Sequence, residues 1–298
     1  MTAPAERRGQ GAGIALGFAA TIFWAFYNVG TAIGRADGFS SADLAMLRFG
    51  IAAVLLAPLL LLRHGWREAL PLKRILALTV LIGPPFAFLI NTGYGIAPLA
   101  HAVVISPGVT MLTANALSAF VDGRAVPRQR RIGIVLLVAG LIAIAADQPA
   151  TPPSGTPAWV GDLCFVASGS LWGLFTWLVG RWRLPAIETT AVVSLSAALC
   201  LLPVYLAVFG VPDHPPKAWA VQALYQGVLG GALAIIAFAG CVRRLGAGTA
   251  ALFPALLPPA AVMLAIPLAS QAPGSLQWLG VVLASGGLLV SLDIMRRR

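Results

Sequence analysis

The segments VPRQRRIGIVLLVAGLI (residues 126–142) and PGSLQWLGVVLASGGLL (residues 273–289) lie 147 positions apart and match in kind. Each opens on proline and polar residues and runs into an apolar stretch, and the shift lays Gly133 on Gly280 and Gly140 on Gly287. The same shift lays AVVISPG on TAALFPA, carrying Pro107 onto Pro254, and a shift of 148 carries Trp24 onto Trp172. The chain reads as two copies of one unit, residues 1–147 and 159–298, joined at 148–158 by QPATPPSGTPA, a connector of proline and small polar residues.

Of the 298 residues 59% are hydrophobic and 10% charged, with a mean hydropathy of +0.88. A water-facing surface cannot be built from that composition, so the whole chain is membrane domain. A spanning helix needs about 20 apolar residues, and the breaks leave ten such stretches. They fall near 11–34, 43–62, 75–95, 98–121, 131–147, 159–180, 186–209, 219–242, 247–269 and 275–295. The N-terminal MTAPAERRGQ is polar and short, and the first apolar stretch reads as a retained helix, not a signal peptide.

The cations fix orientation. With the N-terminus and every second connector assigned to the cytoplasm, that side carries seventeen of the twenty Lys and Arg residues. They are Arg7 and Arg8, Arg63, Arg67, Lys73 and Arg74, then Arg124, Arg128, Arg130 and Arg131, then Arg181 and Arg183, Arg243 and Arg244, and Arg296 to Arg298. The other side has Arg35 and Lys217, and Arg48 lies inside the second span. Cytoplasmic loops carry the excess, so both termini are expected in the cytoplasm and the 148–158 connector in the periplasm. Five spans per copy then force the second copy to enter from the opposite face. Inverted repeats of this kind build many secondary transporters, with the substrate site near the midplane between them.

The net charge of +10 reports this orientation and not a nucleic-acid partner. Cys164, Cys200 and Cys241 sit in apolar stretches without metal spacing and read as packing residues. No cofactor is implied. Arginine-rich, alanine-rich usage suggests a GC-rich bacterial genome, hence the inner membrane.

Within the spans, LIGPPFAFLI sets Pro84 and Pro85 side by side. Proline in a helix interior removes a hydrogen bond and clashes with the preceding turn, at roughly 3 kcal/mol or more. The 147-residue shift brings these positions to Gly231 and Ala232, beside Gly230, while Pro107 and Gly108 face Pro254 with Pro258 and Pro259 nearby. Interruptions at matched places in inverted halves point to a transport site and its moving parts. Pro84, Pro85, Pro107, Gly108, Gly230, Gly231, Pro254 and Pro258 are therefore expected as flexing points.

Trp24, Tyr27 and Asn28 stand at i, i+3 and i+4, on one helix face, and Trp172, Phe175 and Thr176 repeat the spacing. Both tryptophans lie roughly 15 Å inside their spans at 1.5 Å per residue, far from the interfacial belt where tryptophan usually sits. Asn91, Tyr94, Tyr225 and Gln226 add hydrogen-bonding groups within the membrane, where such groups turn toward the bundle interior. These ten residues are the expected substrate lining, with core packing as the competing role for the tryptophans. Arg48 and His101 read as lying toward the outer ends of their spans, Arg48 snorkelling or bonded to carbonyls and, as the alternative, drawing a substrate carboxylate.

All ten acidic residues fall in connectors or close to span ends, so no mid-membrane carboxylate is available for proton coupling. HExxH, GxSxG and P-loop patterns are absent, which argues against an enzyme.

LAMLRFGIAAVLL in the second span, AHAVVISPGVTMLTANALSAFVDGR followed by RQRRIGIVLLVAGLIAI, and their second-half matches resemble the drug/metabolite transporter superfamily, in its EamA-type branch of ten-helix carriers. The resemblance covers the whole chain and is nearest to the YddG-type exporters of aromatic amino acids. It implies alternating access by a monomer around a central aromatic cavity. The acidic residue that many relatives carry after spans four and nine is present as Asp122, whereas the second half offers only Gln271. Export of aromatic and other bulky neutral amino acids is the expected function. Export of planar cationic drugs is the alternative, since the same rings would accept a cation, and an intramembrane structural or receptor protein is a further one.

Overall fold

The computed structural model describes residues 3–62, 65–123, 126–146, 155–250 and 252–291. Arg63, Arg124, Asp147, Asp293, the connector up to residue 154 and the C-terminal arginines lie outside the described residues. Every regular element among those described is helical. In order they are α1 (Ala3–Ala36), α2 (Ser41–Leu62), α3 (Trp66–Ala69), α4 (Leu72–Ile82), α5 (Pro84–Tyr94), α6 (Leu99–Phe120), α7 (Arg128–Ala146), α8 (Ala158–Arg181) and α9 (Ala186–Val204). A π turn over Tyr205–Phe209 follows, then α10 (Pro216–Gln222), a π-helical stretch over Ala223–Leu233, α11 (Ala234–Ala250), α12 (Leu252–Ala255), α13 (Leu257–Ala269) and α14 (Ser275–Ser291). Among the described residues, eight helical stretches are long and apolar enough to cross a membrane, and Leu257–Ala269 and Ser275–Val290 are shorter apolar helices.

Local chemistry explains the breaks. The third apolar stretch is two helices: α4 stops at Gly83, and Pro84 and Pro85 open α5. Proline is well placed in a first turn, where its missing N–H would have had no partner. Gly83 donates to Thr79 O at 2.9 Å, and a Cβ there would stand 2.3 Å from that oxygen, so only glycine fits. In the second half the corresponding region is the π-helical stretch that holds Gly230 and Gly231. The adjacent prolines thus start a helix instead of bending one.

Pro107 lies inside α6, which runs on through it. One expected span needs correction. The stretch expected at 247–269 is not one helix: α11 continues to Ala250, and α12 and α13 divide at Leu256, with Pro258 in the first turn of α13. Prolines at 254, 258 and 259 permit helix starts there, not a continuous ladder.

α2 begins with a reciprocal cap, Ser40 N–H donating to Asp43 Oδ2 at 2.6 Å and Asp43 N–H to Ser40 Oγ at 3.1 Å. The other Asp43 oxygen accepts from the Tyr205 hydroxyl at 2.7 Å, tying α2 to the end of α9.

Helices from the two halves interlock in matched pairs. α1 packs on α11 and α13, α8 on α5 and α6, α2 on α9, and α7 on α14. In the last pair a Cβ on Gly140 would stand 2.8 Å from Gly280 O, and one on Gly287 would stand 2.6 Å from Gly133 O. Position 133 meets 287 and 140 meets 280, so the helices run antiparallel with backbones in contact. Small residues allow this approach where lipid offers no hydrophobic drive to association. Outward-facing Val54, Leu61, Val135 and Phe120 are exposed, as side chains that meet lipid are.

Candidate functional site

α1, α2, α5 and α8 bring their aromatic faces together around one charge. Arg48, one-third along α2 and half-buried, donates from Nη1 to the Tyr27 hydroxyl at 2.6 Å. Its Cζ lies 4.9 Å from the Tyr27 ring centre, 5.5 Å from that of Phe86 and 5.9 Å from that of Phe49. All three are within the roughly 6 Å over which a ring face attracts a cation. Phe86 in turn meets Trp172 edge to face, with ring centres 5.2 Å apart. Among the described residues, Arg48 is in no ion pair; those found are His101 with Asp162 and Arg181 with Asp122. The expectation that Arg48 snorkels or bonds to carbonyls is therefore replaced: its charge is held inward, by rings and one phenol.

Tyr94 closes one side. Its hydroxyl donates to Asn28 Oδ1, Asn28 Nδ2 donates to Trp24 O at 2.6 Å, and the Tyr94 ring meets Phe165 edge to face at 5.5 Å. Glycines set the distances. A Cβ on Gly93 would stand 2.4 Å from the Phe165 ring, and one on Gly230 would stand 2.4 Å from the Tyr27 ring. Gly231 lies against Ala52, with its missing Cβ 3.1 Å from Arg48 O. The glycine pair expected to flex is thus also the floor on which Tyr27 and Arg48 rest.

Of the residues singled out from sequence, Tyr27, Asn28, Tyr94 and Trp172 converge here, joined by Arg48 and Phe86. Trp24 is half-buried and turns toward α11, where its ring centre lies 5.4 Å from that of Phe238. Phe175 packs at the margin of the main apolar core. Tyr225 stacks on Phe26 with ring centres 6.2 Å apart. Gln226 is wholly buried and joins helices, its Nε2 donating to Thr31 Oγ1 at 3.0 Å, while Gln222 donates to Gly30 O at 3.0 Å. Asn91 donates to Ser41 O at 3.3 Å, and its Oδ1 is buried without a donor. Thr176 is exposed, with its hydroxyl turned back onto Trp172 O at 2.8 Å. Phe86, Phe165 and Phe238 escaped the sequence reading because phenylalanine is ordinary in a membrane helix. The signal that could have found the centre was Arg48 itself, a lone charge inside a span.

Two polar ties flank this centre. His101, fully buried near the start of α6, shares a 2.7 Å hydrogen bond with Asp162 Oδ1 in the first turns of α8. At the far ends of the same helices, Asp122 pairs with Arg181 and accepts from Trp177 Nε1 at 2.9 Å.

An interior of aromatic rings about one guanidinium, carried by membrane-length apolar helices, is the build of a membrane carrier. The model of the EamA-like transporter family matches residues 11–146 and again 159–292, and the chain belongs to that family, within the drug/metabolite transporter superfamily. The family is one of transporters, not enzymes. YetK of Bacillus subtilis (strain 168), an uncharacterized transporter, is 28% identical over 258 residues, 83% of this chain and 76% of that protein. A solved crystal structure superposes on 96% of this chain and 99% of its own with a TM-score of 0.64 at 19% identity, a likeness of fold.

Proposed function

We propose that this transporter exports amino acids with bulky neutral side chains across the bacterial inner membrane, by alternating access around the Arg48 centre. The carrying observation is Arg48: a cation within a span, in no ion pair among the described residues, set between aromatic rings. A carboxylate is the partner such a group lacks, and Tyr27, Phe86 and Trp172 provide the apolar wall for an aromatic or thioether side chain. The same charge disfavours the alternative of planar cationic drugs. At 6 Å and an effective dielectric of 20, a second cation would be repelled by roughly 3 kcal/mol.

Ten spans arranged as two inverted five-helix halves, residues 1–147 and 159–298, complete the reading, with both termini cytoplasmic and the chain working as a monomer. The antiparallel meeting of Gly133 with Gly287 and Gly140 with Gly280 supports it, because each glycine faces the counterpart of the other, as an in-plane two-fold axis requires. The pairing of α1 with α13 and of α8 with α6 obeys the same symmetry. The test is a substrate panel on purified protein in liposomes. Saturable uptake of phenylalanine, tryptophan or methionine is expected. Its absence, with or without uptake of aromatic cations, would defeat the proposal.

A further inference from the structure

At the face of the bundle on which α1 ends there is a cavity of about 390 Å3, walled by Arg35, Tyr94, Gly95, Pro98, Ser270 and Gln271. That volume is at the low end for a small-molecule site. Arg35 supplies its charge. Its Nη1 donates to Phe39 O at 2.6 Å, whereas its Nε is buried with no acceptor. Arg35 is in no ion pair among the described residues, and no acidic residue lines the cavity. A buried charged donor left unmatched is costly unless something accepts from it.

Tyr94 belongs to both compartments. It lines this cavity, while its hydroxyl donates to Asn28, the residue beside Tyr27, which holds Arg48. Arg35 stands two turns beyond Asn28 on α1, about 10 Å along the axis. The order along α1 is thus a guanidinium held by Tyr27, a hydrogen-bonded barrier at Asn28 and Tyr94, then a chamber with a second guanidinium.

We infer that this chamber is a second binding site for the substrate carboxylate, on the exit side, and that the bond between Asn28 and Tyr94 separates it from the site at Arg48. The inference rests on the function proposed above. A carboxylate leaving Arg48 passes to Arg35 without crossing apolar wall unpaired, and the Arg35 guanidinium that borders the chamber receives it.

The test measures KM for labelled phenylalanine separately from each face, in liposomes holding protein of one orientation. Arg35→Gln is expected to raise KM about tenfold from the face on which α1 ends and to leave the opposite face within twofold. Arg35→Lys should recover most of the loss. Gly95→Ala provides a second, charge-preserving perturbation: its methyl would stand 2.7 Å from Arg35 Nη2, at the movable end of that side chain. The same one-sided rise is expected, and it decides the matter alone if Arg35→Gln does not fold. KM unchanged, or raised equally on both faces, overturns the inference while the proposed function stands. Wild-type protein that fails to carry phenylalanine removes both.

Discussion

Replacing Arg48 with glutamine tests the centre most directly. Arg48 has no carboxylate partner among the described residues, so its removal strands no buried anion. The bond of 2.6 Å to Tyr27 is lost, but the phenol oxygen can accept from another donor. A hydrogen bond between charged groups contributes about 1.5–3 kcal/mol, and each 1.4 kcal/mol is tenfold in affinity. Phenylalanine should therefore bind roughly 10- to 150-fold more weakly to Arg48→Gln. Lysine, which keeps the charge but loses the planar fork that lies against Tyr27 and Phe86, should fall between. The comparison that isolates the carboxylate is phenethylamine, which has the ring and the amine alone. Its binding should be unchanged or tighter in Arg48→Gln, because the repulsion of roughly 3 kcal/mol between two cations at 6 Å is gone. Equilibrium binding of both labelled compounds to purified protein measures this. Equal weakening of the two, or phenylalanine affinity within twofold of wild type, would refute the assignment.

Gly230→Ala sets a methyl 2.4 Å from the Tyr27 ring and should raise KM for amino acids several-fold, read as initial rates in liposomes; unchanged kinetics would mean that Tyr27 does not position Arg48. Gly287→Ala drives a methyl to 2.6 Å from Gly133 O, and overpacking of this kind costs about 1–3 kcal/mol, so the unfolding temperature in detergent should fall while substrate KM holds. Thr176→Val should leave transport within twofold, since that hydroxyl serves its own helix. Transport is expected to be uncoupled from protons: a pH gradient imposed at equal amino-acid concentrations should produce no accumulation. Accumulation that a protonophore abolishes would reverse this and make the buried pair of His101 and Asp162 the first groups to mutate.

Much of the helix plan was legible because lipid imposes length and hydropathy on every element that crosses it. Ser41–Leu62, Leu99–Phe120 and Ala158–Arg181 each end within two residues of the expected limits. Local backbone form was less legible. Pro84 and Pro85 could equally have kinked a helix or opened one, and the choice turned on Gly83, whose close approach to Thr79 O appears only in three dimensions. The run Pro254, Pro258 and Pro259 shows the same ambiguity, and one span was expected where two short helices stand. For the site, helical spacing grouped Trp24, Tyr27 and Asn28 on one face, yet Trp24 turned to Phe238 while Tyr27 turned to Arg48. A face wide enough for three large residues meets more than one neighbour, and periodicity within a helix carries no record of which neighbour takes which side chain. Arg48 was visible as a lone charge, but the rings that hold it come from separate elements.

The meeting of α7 with α14 has a consequence for ancestry. If the halves are inverted copies, as proposed, Gly140 lies against the counterpart of Gly133, and Gly133 against the counterpart of Gly140. A patch that fits its own duplicate needs no second gene. Two separate copies of a single five-helix chain, inserted in opposite directions, would already have possessed this junction, because an isologous contact is satisfied by one sequence. Fusion would then have had to add only a tether and a lasting bias in loop charge. The aromatic chamber, where Arg48 has Leu195 at the position 147 residues on, is where the copies were afterwards free to diverge.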